Sequence, residues 1–111
     1  VYITASLWET LGLSVMEAVG SGNAVIGLDV RYGNRLFVHP GENGYLIDFD
    51  LAYVEGDHSR LIEEMSEKIV DIFSDKERLN RFHETSYETG RCFFQTETEK
   101  KWRELLEDTI Q

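Results

Sequence analysis

The stretch Val1-Tyr2-Ile3-Thr4-Ala5-Ser6-Leu7-Trp8-Glu9-Thr10-Leu11-Gly12-Leu13-Ser14-Val15-Met16-Glu17-Ala18-Val19-Gly20-Ser21-Gly22-Asn23-Ala24-Val25-Ile26-Gly27-Leu28 decides the fold. Val1 to Ala5 reads as a buried strand. Ser6 to Gly12 is a short loop, and Leu13 to Val19 is a helix with so few polar residues that it is expected to be buried on most sides. Gly20-Ser21-Gly22-Asn23 ends it, because glycine supplies the left-handed turn. Ala24 to Leu28 is an unbroken apolar run of strand length, the mark of a parallel strand covered on both faces. Strand, loop, helix, turn and strand make a βαβ unit, expected to be right-handed.

Beyond this unit, Asp29 to Phe37 is a polar loop with room for one helical turn. His39-Pro40-Gly41-Glu42-Asn43-Gly44 is a turn cluster, and Tyr45 to Phe49 is a further short strand. From Ser59 to Phe73 the residues Leu61, Ile62, Met65, Ile69, Ile72 and Phe73 fall on one stripe of a helix. Ser74-Asp75-Lys76-Glu77 reads as a capping box with Ser74 as the cap, opening a helix that carries Leu79, Phe82, His83 and Tyr87. Thr96-Glu97-Thr98-Glu99 reads as a second box, opening a last helix with Trp102, Leu105, Leu106 and Ile110 along one side. The fold class is α/β: part of a Rossmann-like parallel-sheet domain over residues 1–58, followed by C-terminal helices over 59–111. Val1 already stands in a strand, with no Met, loop or cap before it, which reads as a fragment whose upstream part has been cut away.

Of the 111 residues, 21 are acidic and 11 basic, for a net charge of −10. Such a charge repels phosphodiester backbones, so nucleic acid is not expected as a partner. The acidity is uneven: the first 41 residues hold only Glu9, Glu17 and Asp29 against Arg31 and Arg35, and the helical tail carries the excess as solvated faces. A hydrophobic content of 41% supports a real core. No apolar run approaches the roughly 18 residues of a membrane span. The single cysteine, Cys92, suits a reducing compartment and reads as part of a buried turn. His39, His58 and His83 show no ligand spacing, so no metal is expected.

The chemistry centres on Glu9 and Glu17. Between them a strand end joins a helix start, and in open α/β sheets ligands bind at the carboxyl ends of strands. Near Gly12 the helix presents free amides and the positive end of its dipole, a site for a phosphate that needs no basic side chain. Gly12 lets a bulky anion approach the backbone. Carboxylates flanking such a site are poor phosphate ligands but good acceptors for neutral hydroxyls, the layout of a nucleotide sugar. From spacing alone the pair also reads as a loop carboxylate and a solvated helix face, and both readings stand. Arg31 and Arg35 are open to contact with an acidic ligand or to local pairing with Asp29 or Glu42. Trp102, Leu105 and Leu106 are open to a core or to an interdomain seam.

Ser6-Leu7-Trp8-Glu9-Thr10-Leu11-Gly12-Leu13 through Glu17-Ala18-Val19-Gly20 to Ala24-Val25-Ile26-Gly27 closely resembles the donor-site motif of retaining glycosyltransferase family 4, S-x-x-E-G-F-G-L-x-x-x-E-A-M-A-x-G-x-P-V-I-A. Glu42-Asn43-Gly44-Tyr45-Leu46-Ile47 resembles that family's E-N-G-L-L-V strand. Asp29-Val30-Arg31-Tyr32-Gly33-Asn34 departs from the common G-G-x-x-E wording. It resembles a bacterial branch that includes O-GlcNAc transferases of serine-rich-repeat adhesins and glucosyltransferases of poly(glycerol phosphate) teichoic acid. The resemblance implies the C-terminal, nucleotide-sugar-binding half of a two-domain GT-B enzyme. Such an enzyme moves a sugar from a UDP-sugar with retention, first to serine or threonine of an adhesin and alternatively to teichoic acid. A non-catalytic partner subunit of the same fold is the competing reading. By matching position, Glu9 would be catalytic, binding donor hydroxyls and placing the sugar. Thr10, Leu11, Gly12 and Leu13 would offer amides to sugar and diphosphate, and Glu17 would bind the ribose. Thr10 stands where glycine is usual. The resemblance implies no cofactor or metal and places the basic diphosphate-binding pair upstream. It also implies a stabilising partner subunit and a cytoplasmic or membrane-peripheral location, and this piece alone is expected to be inactive.

Overall fold

A computed structural model describes residues 1–48, 50, 56 and 58–110. Three parallel strands, β1 (Tyr2–Ile3), β2 (Val25–Leu28) and β3 (Gly44–Ile47), lie in the order β1-β2-β3. Tyr2 pairs with Val25, and Val25 with Gly44. Helix α1 (Leu13–Gly20) links β1 to β2, and the short α2 (Gly33–Phe37) precedes β3. Helices α3 (Ser59–Ser74), α4 (Lys76–Arg91) and α5 (Gln95–Ile110) follow. The expected α/β order with C-terminal helices is therefore present.

Every residue of β2 is buried, because its alternating side chains face two separate layers. Val25 joins Val15, Ala18, Val19, Phe37 and Val38 on the α1 and α2 side. Ile26 and Leu28 join Ile47, Ile72 and Phe82 beneath α3 and α4. Side chains buried this fully are worth about 1.5–3 kcal/mol each. Asn43, also fully buried, pins the link from α2 to β3: its Nδ2 donates to the Phe37 carbonyl at 2.8 Å, and its Oδ1 accepts from the His39 amide at 2.6 Å.

Several local expectations are corrected. Among the described residues, strand pairing in β1 covers Tyr2 and Ile3 alone, and Ile3 is exposed. The strand read as Tyr45 to Phe49 runs from Gly44 to Ile47, and Phe49 lies outside the described residues. Helix α1 buries Val15, Ala18 and Val19 but leaves Leu13, Ser14 and Glu17 open. Its stop is the left-handed Gly22 (φ 76°), with Gly20 still helical. Ile62 and Phe73 fall on the outer side of α3, away from its half-buried Leu61, Met65 and Ile69.

Caps shift as well. Asp75, not Ser74, caps α4 by accepting from the Arg78 amide at 3.0 Å; the Ser74 hydroxyl turns back to the Asp71 carbonyl at 2.7 Å. Helix α5 starts before Thr96, with the Thr98 amide bonded to the Phe94 carbonyl at 3.1 Å. Cys92 is exposed rather than buried, in the link between α4 and α5. Trp102, Leu105, Leu106 and Ile110 are exposed too, because none of α5 is packed against the core.

Candidate functional site

The site lies past the carboxyl end of β1. The Thr4 amide still bonds to β2, at the Ile26 carbonyl, 2.9 Å away. Its hydroxyl then turns the chain off the sheet, accepting from the Ser6 amide at 3.3 Å. The loop returns at Glu9, which forms an isolated parallel bridge with Tyr32; the Tyr32 amide donates to the Glu9 carbonyl at 3.3 Å. Glu9 is half-buried, whereas Thr10 and Leu11 are exposed.

Gly12 then sits at the N-cap of α1 with φ 74° and ψ 55°. A side chain in this left-handed region costs roughly 1–2 kcal/mol, which is why glycine stands here. No side chain caps the helix, and its first turn holds no acidic residue. The leading amides of α1 therefore keep their positive end open to an anion. Leu13 is the exposed first residue of the helix, and Glu17 is exposed one turn further along. Glu9, Thr10, Leu11, Gly12, Leu13 and Glu17 thus belong to one loop and the start of one helix. The arrangement can take an anion on the helix end and hydroxyl groups on the two carboxylates.

A floor supports this loop, and reading the sequence for side-chain chemistry misses it. A Cβ on Gly33 would collide with the Leu11 carbonyl, so the backbones touch there. Asn34, 1% exposed, sits beside it, with Nδ2 donating to the Leu28 carbonyl at 2.9 Å. The only signal in the sequence is the unusual Arg31-Tyr32-Gly33-Asn34 wording.

Arg35 is settled as a local partner of Asp29, with bonds of 2.5 and 2.7 Å to the two carboxylate oxygens. That bond, reinforced by the charge of Asp29, raises the guanidinium above its ordinary range. Arg31 is exposed on the same turn. Trp8 and Tyr32 are 77% and 72% exposed at the rim of the loop and its floor. Among the described residues, no group of three or more His, Cys, Asp or Glu side chains could hold a metal ion. Likewise, none of the described helices is long and apolar enough to cross a membrane.

A parallel α/β layer with an uncapped helix start at the strand ends is an arrangement suited to an anionic ligand, and residues 1–89 match the family described as glycosyl transferases group 1. The chain belongs to that family. It is 40% identical over 107 residues to the UDP-N-acetylglucosamine–peptide N-acetylglucosaminyltransferase GtfA subunit of Streptococcus gordonii, covering 96% of this chain and 20% of the relative. It is 28% identical over 109 residues to the poly(glycerol-phosphate) α-glucosyltransferase of Bacillus subtilis strain 168, covering 98% of this chain and 15% of that protein. Among solved structures, a GtfA/B complex matches with a TM-score of 0.85 at 38% identity, over 97% of this chain and 21% of that one. The pneumococcal O-GlcNAc transferase GtfA in complex with UDP and GlcNAc matches with a TM-score of 0.84 at 35% identity, over 99% of this chain and 21% of that one. The chain thus spans about a fifth of the length of these GtfA relatives.

Proposed function

We propose that this chain is the C-terminal part of the donor-binding domain of a GT-B, retaining family 4 glycosyltransferase. The whole enzyme would transfer N-acetylglucosamine from UDP-N-acetylglucosamine to serine or threonine of a surface adhesin. The observation that carries this reading is the uncapped α1 start at Gly12, bracketed by Glu9 and Glu17. Glu9 binds donor hydroxyls and places the sugar for transfer. The backbone of Thr10, Leu11, Gly12 and Leu13 takes the sugar and the diphosphate, and Glu17 takes the ribose hydroxyls. Leaving-group charge then falls on the helix end and on basic residues elsewhere in the enzyme, without a metal or other cofactor. Higher identity to the GtfA subunit than to the glucosyltransferase favours a protein acceptor over teichoic acid. The similarity to the GtfA/B complex supports a stabilising partner subunit. A cytoplasmic site, with peripheral contact at the membrane, suits a UDP-sugar donor.

The test uses the full-length protein carrying this segment, with a panel of UDP-sugars and UDP release as the readout. Turnover with UDP-N-acetylglucosamine, lost in Glu9→Gln, is the expected result. Glu17→Ala should weaken UDP binding about 5- to 150-fold, the range for loss of about 1–3 kcal/mol of hydrogen bonding. A folded protein that turns over no nucleotide sugar, or an unchanged UDP affinity in Glu17→Ala, would overturn the reading.

A further inference from the structure

Asn34 holds a buried acceptor with nothing to accept. Its Oδ1 is fully enclosed and has no hydrogen-bond partner. Buried carbonyls in this condition are rare and point to a strained or functional state. The carboxamide cannot simply turn over, because Nδ2 is committed to the Leu28 carbonyl at 2.9 Å, and a flip would set two oxygens against each other. A donor brought to Oδ1 would satisfy it.

Gly12 lies beside it. A Cβ on Gly12 would lie 3.5 Å from Oδ1, and the Gly12 nitrogen faces the Gly33–Asn34 turn, 2.9 Å from where a Gly33 Cβ would stand. Gly12 is also the left-handed residue between the loop and α1, where the absence of a side chain leaves the backbone torsions freest to adjust. We infer that Asn34 is a positioning residue for the donor loop: with the donor in place, its Oδ1 accepts the Gly12 N–H and locks the loop over the end of α1, so that Gly12 meets the donor through its bare Cα while the amides of Thr10, Leu11 and Leu13 serve the sugar and diphosphate. The inference rests on the donor-site reading above and assigns a role to a residue that does not itself touch the donor. In this arrangement the satisfied bond adds to donor affinity. The same bond holds the remaining α1 amides in the orientation that a diphosphate needs.

The experiment titrates UDP into the full-length protein and follows hydrogen exchange of a peptide covering residues 9–16, with and without saturating UDP. In the wild type, UDP should protect this peptide. In Asn34→Ala, UDP affinity should fall about tenfold, the scale of one buried hydrogen bond. KM for the UDP-sugar should rise by a similar factor while kcat changes little, and UDP-dependent protection should drop even at saturation. Asn34→Ser, whose hydroxyl is too short to reach Gly12, should behave alike and serves if the alanine variant does not fold. A role in stability alone would lower Tm but leave UDP affinity within twofold and protection intact; that result overturns the inference while leaving the donor site standing. A wild-type protein that binds no UDP overturns both, and so separates the two failures.

Discussion

A methyl group on Gly33 would occupy the space of the Leu11 carbonyl. Gly33→Ala should therefore push the Glu9–Gly12 loop off its floor. Its UDP affinity, measured by calorimetry on the full-length protein, should fall at least about tenfold, with a lowered Tm. Asn43 offers a contrasting residue, structural and remote from the ligand. Asn43→Ala strands the Phe37 carbonyl and the His39 amide, and should cost about 2–4 kcal/mol in denaturant unfolding while sparing UDP affinity. At this scale the placement of Glu9, Gly12 and Glu17 around the start of α1 was legible, because their spacing lies within a single loop and helix. Asn34 and Gly33 were not. What they do depends on a contact with residues well before them in the chain, which no local pattern encodes.

Between elements, the join of β3 to α3 makes stability depend on pH. The Tyr45 hydroxyl donates to Asp71 Oδ2 at 2.9 Å, and Arg78 approaches the same oxygen at 3.1 Å. The Tyr45 bond, with help from Arg78, holds the Asp71 carboxyl below its ordinary 3.8. A carboxyl depressed in the folded state contributes stability above its unfolded pKa and loses it as pH falls through the folded value. Acid unfolding below about pH 4 should therefore flatten in Tyr45→Phe, as read by Tm against pH. The α4 cap gives a second prediction: Asp75→Ala should cost about 1 kcal/mol in thermal unfolding, and Ser74→Ala distinctly less. Two adjacent residues able to cap made the sequence ambiguous here. The tie is broken by the Ser74 hydroxyl, which closes the last turn of α3 instead. Elements whose burial was two-sided, above all β2, were read almost to the residue. The edge strand β1 was not, because its partners on one side are not specified by its own residues.

The whole chain measures 58 × 36 × 16 Å, with a radius of gyration of 16.5 Å, against about 13 Å for a compact domain of this length. The excess reflects α5, all of whose described residues are exposed. Removing residues 95–111 should therefore leave the unfolding free energy of the remainder within about 1 kcal/mol, as measured by urea titration of the two lengths. Periodicity located the stripe of Trp102, Leu105 and Leu106 correctly, yet a stripe says only that one side is apolar and not what covers it. The helix crossing behind the site has a different consequence. A Cβ on Gly90 would stand 2.6 Å from the Gly20 Cα, so α4 and α1 meet backbone to backbone. With no side chain between them to compress, α1 cannot recoil along that contact when a bulkier group presses on its far end. If the donor sits there as proposed, discrimination by size at that end would be set by an unyielding backbone, and widening it would take a change behind the helix rather than at the pocket.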